Sequence, residues 1–316
     1  MGVERRAAID IGTVTARLMV ADVDDGIVNE VVRRSRITHL GAGWTTSGVL
    51  SEEGMASAVE AVGAYVAEAR ALGATRIAAV ATSASRDASN SAGFLDRLDA
   101  VGVRPEIIAG EREGLLTFTG ATYGFCDQSV LVVDVGGGST ELVLGRSCRT
   151  ESGLSVELDS VRSIDVGSRR ITEMFLLSDP PKRSEIADAS AWAADEIRPY
   201  FSAVRRRPNE MIAVAGTATS LAAIDLSLEP YDSERVHGYR LTGPSLLDVL
   251  ERLSKMTLEQ RRHVPGLEPE RAGVIVGGAI ILQSVLAYAW LSSTLVSEHD
   301  ILYGMVLDLD QADAPE

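Results

Sequence analysis

The strongest constraint on the fold of this chain is a motif of twelve residues that occurs twice, 124 positions apart. Residues 9–20 read IDIGTVTARLMV, and residues 133–144 read VDVGGGSTELVL. Each copy is a β-branched run that ends in Asp, then a turn with Gly and Ser or Thr, then a second apolar run, which is typical of strand, turn and strand. Because 316 residues can form two cores of ordinary size, the repeat predicts two related domains.

Each predicted turn carries groups that can hold a metal ion and a phosphate together. Carboxylates can hold a divalent cation, whereas backbone N–H groups and hydroxyls can bind phosphate oxygens, and the cation offsets their charge. We expect the glycines to adopt positive φ and to let the backbone approach those oxygens closely. The alternative is that each Asp merely ends a strand or caps a turn. The residues concerned are Asp10, Gly12, Thr13 and Thr15 in the first copy and Asp134, Gly136, Gly137, Gly138 and Ser139 in the second.

The charge of the chain limits its partners. A formal net charge of −15 and a pI near 4.8 argue against a broad basic surface for nucleic acid or for an anionic membrane. A polyanionic substrate stays open, because solvent screens charges beyond about 8 Å at physiological salt. Lys182 and Lys255 are the only lysines, so phosphate contacts must come from arginines or from the backbone.

Several features bear on the location of the protein. Residues 274–291 carry no charge and are long enough to span a bilayer, but Gln283, Ser284 and the isolation of the stretch favour a buried helix. Cys126 and Cys148 lack CxxC spacing, which indicates reduced thiols. The N-terminus enters the first strand without the pattern of a signal peptide. We therefore expect a soluble cytoplasmic protein.

Both halves of the chain predict alternating strands and helices after the repeated motif. In the first half, we predict strands at 27–37, 76–81 and 106–109, and helices at 51–72, 90–101 and 111–123. In the second half, we predict strands at 130–134, 140–144, 156–165 and 211–215, and helices from 168, at 184–205, after the segment 216–219 and at 300–310.

Further segments resemble one protein family. They read TSASRDASN at 82–90, GERE at 110–113, GTAT at 216–219, VHGY at 236–239, PGLEPER at 265–271 and ILYG at 301–304. Together with both Asp-Gly turns, and in this order, they make the chain similar to the Ppx/GppA phosphatases, which comprise exopolyphosphatases and guanosine pentaphosphate phosphohydrolases. The resemblance covers essentially the whole chain.

The resemblance implies an α/β fold of two duplicated actin-like, ribonuclease H-like domains of the sugar kinase, heat-shock and actin superfamily, with a cleft between them. We expect domain I at 1–125 and domain II at 126–297. A C-terminal helix within 298–316 should pack back on domain I, as it often does in duplicated folds of this type.

The resemblance also implies roles for individual residues. Glu113 matches the family's catalytic glutamate, although relatives usually have two adjacent glutamates and this chain has Arg112, so Glu111 stays an alternative base. Val14 replaces a side-chain amide donor of the first turn. Mg²⁺, or Mn²⁺, would lie near Asp10, Asp134 and Glu141. Phosphates would contact the turns together with Arg17, Arg86, Gly216 and Thr217.

Simpler roles remain open for some of these residues. Glu141 could face solvent on its strand. Arg86 could form a surface salt bridge. Gly216 and Thr217 could cap a helix, although the N–H groups at a helix start can also bind an anion.

On this reading, the expected activity is that of an exopolyphosphatase, a hydrolase that releases the terminal phosphate of inorganic polyphosphate with a water activated by Glu113. Longer relatives carry a C-terminal extension, so we expect a preference for short polyphosphates. The alternatives are a pppGpp 5′-phosphohydrolase, phosphoryl transfer from ATP, and a non-catalytic polyphosphate or alarmone sensor. A homodimer is left open.

Overall fold

The computed structural model describes residues 2–124, 128–150 and 153–309. The chain forms two compact units. Unit 1 comprises residues 1–126, 147–156 and 299–316, and unit 2 comprises residues 127–146 and 157–298. Cys126, predicted to be reduced, and residues 310–316, part of the predicted C-terminal segment, lie outside the described residues.

Unit 1 is built on a five-stranded mixed sheet with the order β3-β2-β1-β4-β5. The first three strands are antiparallel neighbours, whereas β1, β4 and β5 run parallel. The strands are β1 Glu4–Ile11, β2 Thr15–Asp24, β3 Ile27–Ile37, β4 Arg76–Ala81 and β5 Glu106–Ile107.

Side chains alternate between the two faces of this sheet along each strand. Each face packs against its own cluster of apolar side chains. Ala7, Ile9 and Ile11 belong to one apolar cluster and Ala8 belongs to another. The helices are α1 Trp44–Ser47, α2 Glu52–Ala71, α3 Ser83–Asp87, α4 Ser91–Ala100 and α5 Gly110–Ala121. The predicted start of α2 is confirmed, since the Ser51 hydroxyl accepts the Gly54 N–H at 3.1 Å.

Unit 2 repeats this plan in a six-stranded sheet with the order β10-β11-β9-β6-β7-β8. Its hairpin β6-β7 is antiparallel, and β6 runs parallel to β9, as β1 does to β4. The predicted fold class of two duplicated α/β domains is therefore confirmed. The strands are β6 Val130–Val135, β7 Thr140–Thr150, β8 Gly153–Ile164, β9 Glu210–Val214, β10 Arg240–Thr242 and β11 Ser293–Val296.

The core of unit 2 is centred on an apolar helix, α12, which contacts α6, α7, α8 and α10. Of residues 274–291, predicted to form a buried helix, 275–288 form a largely buried helix, whereas Trp290 lies after it and is exposed. Within the described residues, no helix is both long and apolar enough to cross a membrane. The helices are α6 Ser168–Phe175, α7 Arg183–Ala203, α8 Ala215–Asp225, α9 Ser233–Val236, α10 Gly243–Ser254, α11 Leu258–Arg261 and α12 Ile275–Tyr288, with a 3₁₀ turn at Pro269–Arg271.

The last described helix, α13 Ile301–Asp308, packs on α5, β1 and β2 within unit 1. Glycines allow its backbone to touch α5: a Cβ on Gly120 would lie 1.9 Å from the Asp300 carbonyl oxygen, and one on Gly304 would lie 1.9 Å from the Leu116 carbonyl oxygen. The buried Arg6 guanidinium also donates to the Val306 carbonyl at 2.9 Å. The helix that carries Glu113 is thus held directly against α13.

Candidate active site

The first Asp-Gly turn joins β1 to β2 and is largely enclosed. The Gly12 N–H donates to the Thr15 carbonyl at 3.0 Å, which closes the turn. The loop after β3 covers it, since the Gly41 N–H donates to the Thr13 carbonyl at 2.8 Å and a Cβ on Gly41 would lie 2.3 Å from the Thr13 methyl. Thr13 and Thr15 are accordingly only 4% and 8% exposed.

The second turn has the same closing bond but a more open surface. The Gly136 N–H donates to the Ser139 carbonyl at 3.0 Å, and Gly136 and Gly137 are partly exposed. Among residues 2–124, 128–150 and 153–309, the N–H groups of Gly137 and Gly138 donate to no other group. Adjacent N–H groups of this kind form a concave site for an anion.

The expectation of positive φ at these turns is wrong for Gly12 and Gly136, because neither backbone is left-handed. Their need for glycine comes from close approach instead. A Cβ on Gly12 would lie 3.1 Å from the Thr15 carbonyl oxygen, and a Cβ on Gly136 would lie 3.1 Å from the Ser139 carbonyl oxygen. A side chain at either position would push against the closing bond of the turn.

Asp10, at the end of β1, is bound to an arginine. Arg17 lies directly across the hairpin, and its Nη2 and Nε atoms donate to Asp10 Oδ2 at 2.5 and 3.0 Å. Its Nη1 atom is ion-paired with Asp300, the residue that caps α13. Burial raises the pKa of the Asp10 carboxyl, and Arg17 lowers this pKa in part. A metal-binding role for Asp10 and a phosphate-binding role for Arg17 stay predictions.

Asp134 ends β6, and Glu141 lies directly opposite it on β7. Because directly opposed residues share one face of a hairpin, these two carboxylates are neighbours. Both side chains are buried, and the Ser163 hydroxyl donates to Glu141 Oε1 at 2.7 Å. The idea that Glu141 faces solvent is wrong, since it is 1% exposed. Within the described part of the chain, no three Asp, Glu, His or Cys side chains converge as a metal cage.

Glu113 lies in the first turn of α5 and is 9% exposed, whereas Glu111 is solvent-exposed. A carboxylate near a helix start is favoured by the helix dipole. Arg112, the departure from the family pattern, points away to an ion pair with Asp308. The structure therefore separates the two candidate bases by burial and leaves Glu113 as the enclosed one.

Arg86 lies beside Glu113, with 3.8 Å between Arg86 Nη1 and Glu113 Oε2. Its Nη1 also donates to the Ile108 carbonyl at 3.1 Å. Its Nε lies 3.5 Å from the Asp87 carboxylate, so Arg86 also forms the salt bridge that was the alternative to phosphate binding. Phosphate binding by Arg86 stays a prediction.

Parallel strands explain why these groups of unit 1 meet. Ile11 of β1 is paired with Ala81 of β4, and the Ile108 N–H after β5 donates to the Ala81 carbonyl at 3.2 Å. The carboxyl ends of β1, β4 and β5 thus form one edge. The first turn, α3 with Arg86, and α5 with Glu113 all begin there.

Gly216 and Thr217 lie in the first turn of α8, directly after β9. The Thr217 hydroxyl donates to the Val135 carbonyl at 2.9 Å, so it does not cap α8. Ala215 is left-handed, with φ 62°, and such backbone strain is concentrated at functional sites.

Arg271 is a candidate that sequence reasoning missed. A Cβ on Gly216 would lie 1.9 Å from Arg271 Nη1, so the absent side chain makes room for a guanidinium at the start of α8. Arg271 Nε also donates to Glu268 at 2.9 Å. The signal available in the sequence was its place in the segment at 265–271.

The structure therefore brings the predicted residues into two groups, each at one sheet edge of its own unit. The group in unit 1 contains Asp10, Gly12, Thr13, Thr15, Arg17, Arg86 and Glu113. The group in unit 2 contains Asp134, Gly136, Gly137, Gly138, Ser139, Glu141, Gly216 and Thr217.

Comparison with known proteins identifies a family. The model of the Ppx/GppA phosphatase family matches residues 19–309. The chain is 37% identical to exopolyphosphatase 2 of Mycobacterium tuberculosis, over 98% of this chain and 99% of that protein. It is 27% identical to exopolyphosphatase 1 of the same organism, over 96% of this chain and 87% of that protein.

Solved structures agree with this match. An exopolyphosphatase-like protein of known crystal structure superposes with a TM-score of 0.92 at 34% identity, and the match covers 99% of this chain and 100% of the other. The Ppx/GppA family member of Aquifex aeolicus superposes with a TM-score of 0.80 at 29% identity, with full coverage of both chains.

Proposed function

The chain belongs to the Ppx/GppA phosphatase family, and from this premise we propose that it is an exopolyphosphatase that releases the terminal phosphate of inorganic polyphosphate. Membership of this family makes it a hydrolase of phosphoanhydride bonds. The near full-length similarity to two proteins named exopolyphosphatase supports polyphosphate as the substrate.

The observation that carries the proposal is the position of Glu113. It is a buried carboxylate beside a guanidinium, at the edge where three parallel strands of unit 1 end. A general base must be held within reach of the proton that it removes. The first turn of α5 gives Glu113 a fixed backbone, and the close contact with α13 holds that helix in place.

In the proposed reaction, Glu113 orients a water molecule and accepts its proton. The water oxygen forms a bond to the terminal phosphorus, and the bond from that phosphorus to the bridging oxygen breaks. The bridging oxygen leaves as part of the shortened chain. No covalent intermediate with the protein is required.

Phosphate oxygens would be bound by backbone N–H groups and by guanidinium groups. The N–H groups of Gly137 and Gly138 support this role in unit 2, because no other described group accepts from them. In unit 1, Arg86 is the guanidinium adjacent to Glu113. Arg17 would contribute through the position of Asp10, which it holds by two hydrogen bonds.

The carboxylates fit a hard divalent cation. Mg²⁺ binds to one or two carboxylates and otherwise to waters and substrate phosphates, and the opposed pair Asp134 and Glu141 offers such ligands. Asp10 of unit 1, which is bound to Arg17, stays a predicted ligand. When bound, Mg²⁺ or Mn²⁺ would offset the charge on the leaving oxygen.

We also propose a preference for short polyphosphates. At a net charge of −15, the protein repels the distal phosphates of a long polyanion, whereas the few phosphates at the site contact arginines and backbone N–H groups. Because salt screens this repulsion, the rate on long chains relative to short ones should rise with ionic strength.

The substitution Glu113→Gln tests the proposal. It conserves shape and removes the proton acceptor, so phosphate release from tripolyphosphate should fall by roughly 10²- to 10⁴-fold, with tripolyphosphate binding retained in calorimetry. Glu111→Gln, an exposed change of the same kind two residues away, is the matched control and should keep wild-type turnover. An inactive Glu111→Gln beside an active Glu113→Gln would assign the base to Glu111.

A substrate panel tests the substrate class. Phosphate release from short polyphosphate, long polyphosphate, pppGpp and ATP should be compared with and without Mg²⁺. Polyphosphate should be the best substrate, and faster release from pppGpp would transfer the proposal to that compound. Binding of polyphosphate without any release would indicate a sensor. The cytoplasmic location and the homodimer stay predictions.

A further inference from the structure

A cavity of about 390 Å³ opens in unit 2 at the sheet edge where β6 and β9 begin. Leu131 of β6 and its cross-strand partner Leu144 line its apolar wall, together with Pro208, which precedes β9. Asp134 lies three residues further along β6, about 10 Å away at the rise of a strand. The cavity is therefore at the opposite edge of the sheet from the phosphate-binding turn.

Aromatic rings form a second wall of the cavity. Phe201 and Tyr288 are stacked, with centroids 6.1 Å apart and an interplanar angle of 16°. Trp290, just after α12, is 75% exposed and is held in the left-handed region at φ 58°. A bulky side chain rarely adopts that backbone conformation. The fold thus presents a large flat ring to solvent at a conformational cost.

Arginines surround the opening. Arg198 is paired with Asp195 at 2.9 Å, and Arg206 is paired with Asp159 at 3.2 Å. Arg205 and Arg207 also line the cavity, and within residues 2–124, 128–150 and 153–309 neither pairs with a carboxylate. In a protein of net charge −15, two neighbouring cations without carboxylate partners mark a local site for an anion.

One contact joins the arginines at the opening to the aromatic wall. The Arg207 guanidinium lies over the Trp290 ring, 5.0 Å from its centroid, as in a cation–π pair. A ligand that reaches this point meets a ring face and a positive charge together. Inorganic polyphosphate would use only the charge, and an apolar ligand would use only the rings.

We propose that this cavity is a second binding site, for a nucleoside phosphate. The base would stack on Trp290, the apolar wall would take up the remaining ring surface, and Arg205 and Arg207 would bind the phosphate. Arginine suits this role because its guanidinium can bind phosphate oxygens in a bidentate manner, and base stacking on an aromatic side chain is sequence-tolerant. The volume is within the range of small-ligand pockets. The proposal is independent of the reaction catalysed.

Binding of AMP to the purified full-length protein tests the proposal, by calorimetry and by quenching of tryptophan fluorescence. AMP should bind with a stoichiometry of one and should quench the exposed Trp290. Adenosine and inorganic phosphate should each bind at least about tenfold more weakly, because each makes only one of the two contacts. Equal quenching of the tryptophan fluorescence by phosphate and by AMP, or no binding of AMP, would overturn the proposal.

Variants locate the site. Trp290→Gly removes the ring at a position whose backbone already favours glycine, and Arg207→Gln removes one cation, so each should weaken AMP binding by about tenfold or more. Arg252→Gln is the matched control: Arg252 is exposed, lies on α10 outside the cavity, and loses the same charge. Unchanged AMP binding in Trp290→Gly and Arg207→Gln, with both proteins folded by circular dichroism, would place AMP elsewhere and refute the assignment.

Discussion

In the hairpin of unit 1, Arg17 lies directly opposite Asp10, whereas in the hairpin of unit 2 Glu141 lies opposite Asp134. The two hairpins otherwise share their geometry, down to a closing hydrogen bond of 3.0 Å in each turn. Arg17 and Glu141 occupy the same position of the repeated motif, 124 residues apart. The duplicated backbone has therefore kept its shape and exchanged one charge for its opposite.

Because of this exchange, the charge that faces the Asp differs between the two hairpins. Asp10 has its counter-charge within its own unit, since Arg17 binds both Asp10 and Asp300. Asp134 faces a second carboxylate, and like charges directly opposite each other in a hairpin are destabilising. A bound cation would relieve that repulsion. The first hairpin places an arginine opposite its Asp, whereas the second places there a carboxylate that accepts from Ser163, and a pair of carboxylates suits a divalent cation.

The largest effect should come from Arg17→Met. This change leaves the buried Asp10 without its guanidinium and leaves Asp300 with only the more distant Arg33, 4.0 Å away, which should cost about 3–5 kcal/mol in the free energy of unfolding. The loss should shrink as the pH is lowered, because burial raises the pKa of the Asp10 carboxyl, which can then take up a proton. Urea unfolding at several pH values measures both.

The equivalent change in unit 2, Glu141→Gln, is the control for Arg17→Met. Without metal it removes one of two like charges, so its effect on stability should lie within about 1 kcal/mol of zero. Equal destabilisation by the two substitutions would show that the hairpins do not differ in charge balance.

The next largest effect should be on the Mg²⁺ requirement, which should change more when Asp134 is substituted than when Asp10 is. Asp134→Asn weakens a pair of carboxylates that suits Mg²⁺, so we expect the Mg²⁺ concentration for half-maximal phosphate release to rise by about 10- to 100-fold. Asp10→Asn should shift it less, because Arg17 already balances Asp10. A larger shift for Asp10→Asn would reverse the assignment, and an unchanged titration for Asp134→Asn would remove Asp134 from the metal site.

The smallest effect should be shared by both hairpins. Gly12→Ala and Gly136→Ala would each place a Cβ 3.1 Å from a turn carbonyl, so each should destabilise the protein by about 1 kcal/mol. Thermal unfolding of the two variants measures the difference between them. A large difference would mean that the turns are not structurally equivalent.

Local features of the fold and site could be predicted from the sequence. The repeated motif predicted both hairpins, and the Gly-x-x-Glu stretch predicted a glutamate at the start of a helix, because strand alternation and helix starts depend on nearby residues. The expectation of positive φ at Gly12 and Gly136 was wrong because a close carbonyl, and not the backbone angle, excludes a side chain there.

Contacts between distant residues could not be predicted in this way. Arg17 binds Asp300, which is 283 residues away in the sequence, and Arg271 reaches Gly216 from another element. The local pattern can single out these arginines, but it does not indicate which residues they contact. Their partners are set by which strands and helices pack together, and packing is decided over the whole chain.

The contact between α5 and α13 also has a consequence for biosynthesis. The ribosome makes β1 to α5 before unit 2, and α13 after it. Until residues 300–308 have emerged, Gly120 and the Leu116 carbonyl of α5 lack the helix that they contact. Arg17 also lacks Asp300, one of the two aspartates that it binds. Unit 1 can therefore complete its core only after translation of the segment that follows unit 2. A released chain truncated after residue 298 should hold a protease-resistant unit 2 beside a protease-sensitive unit 1.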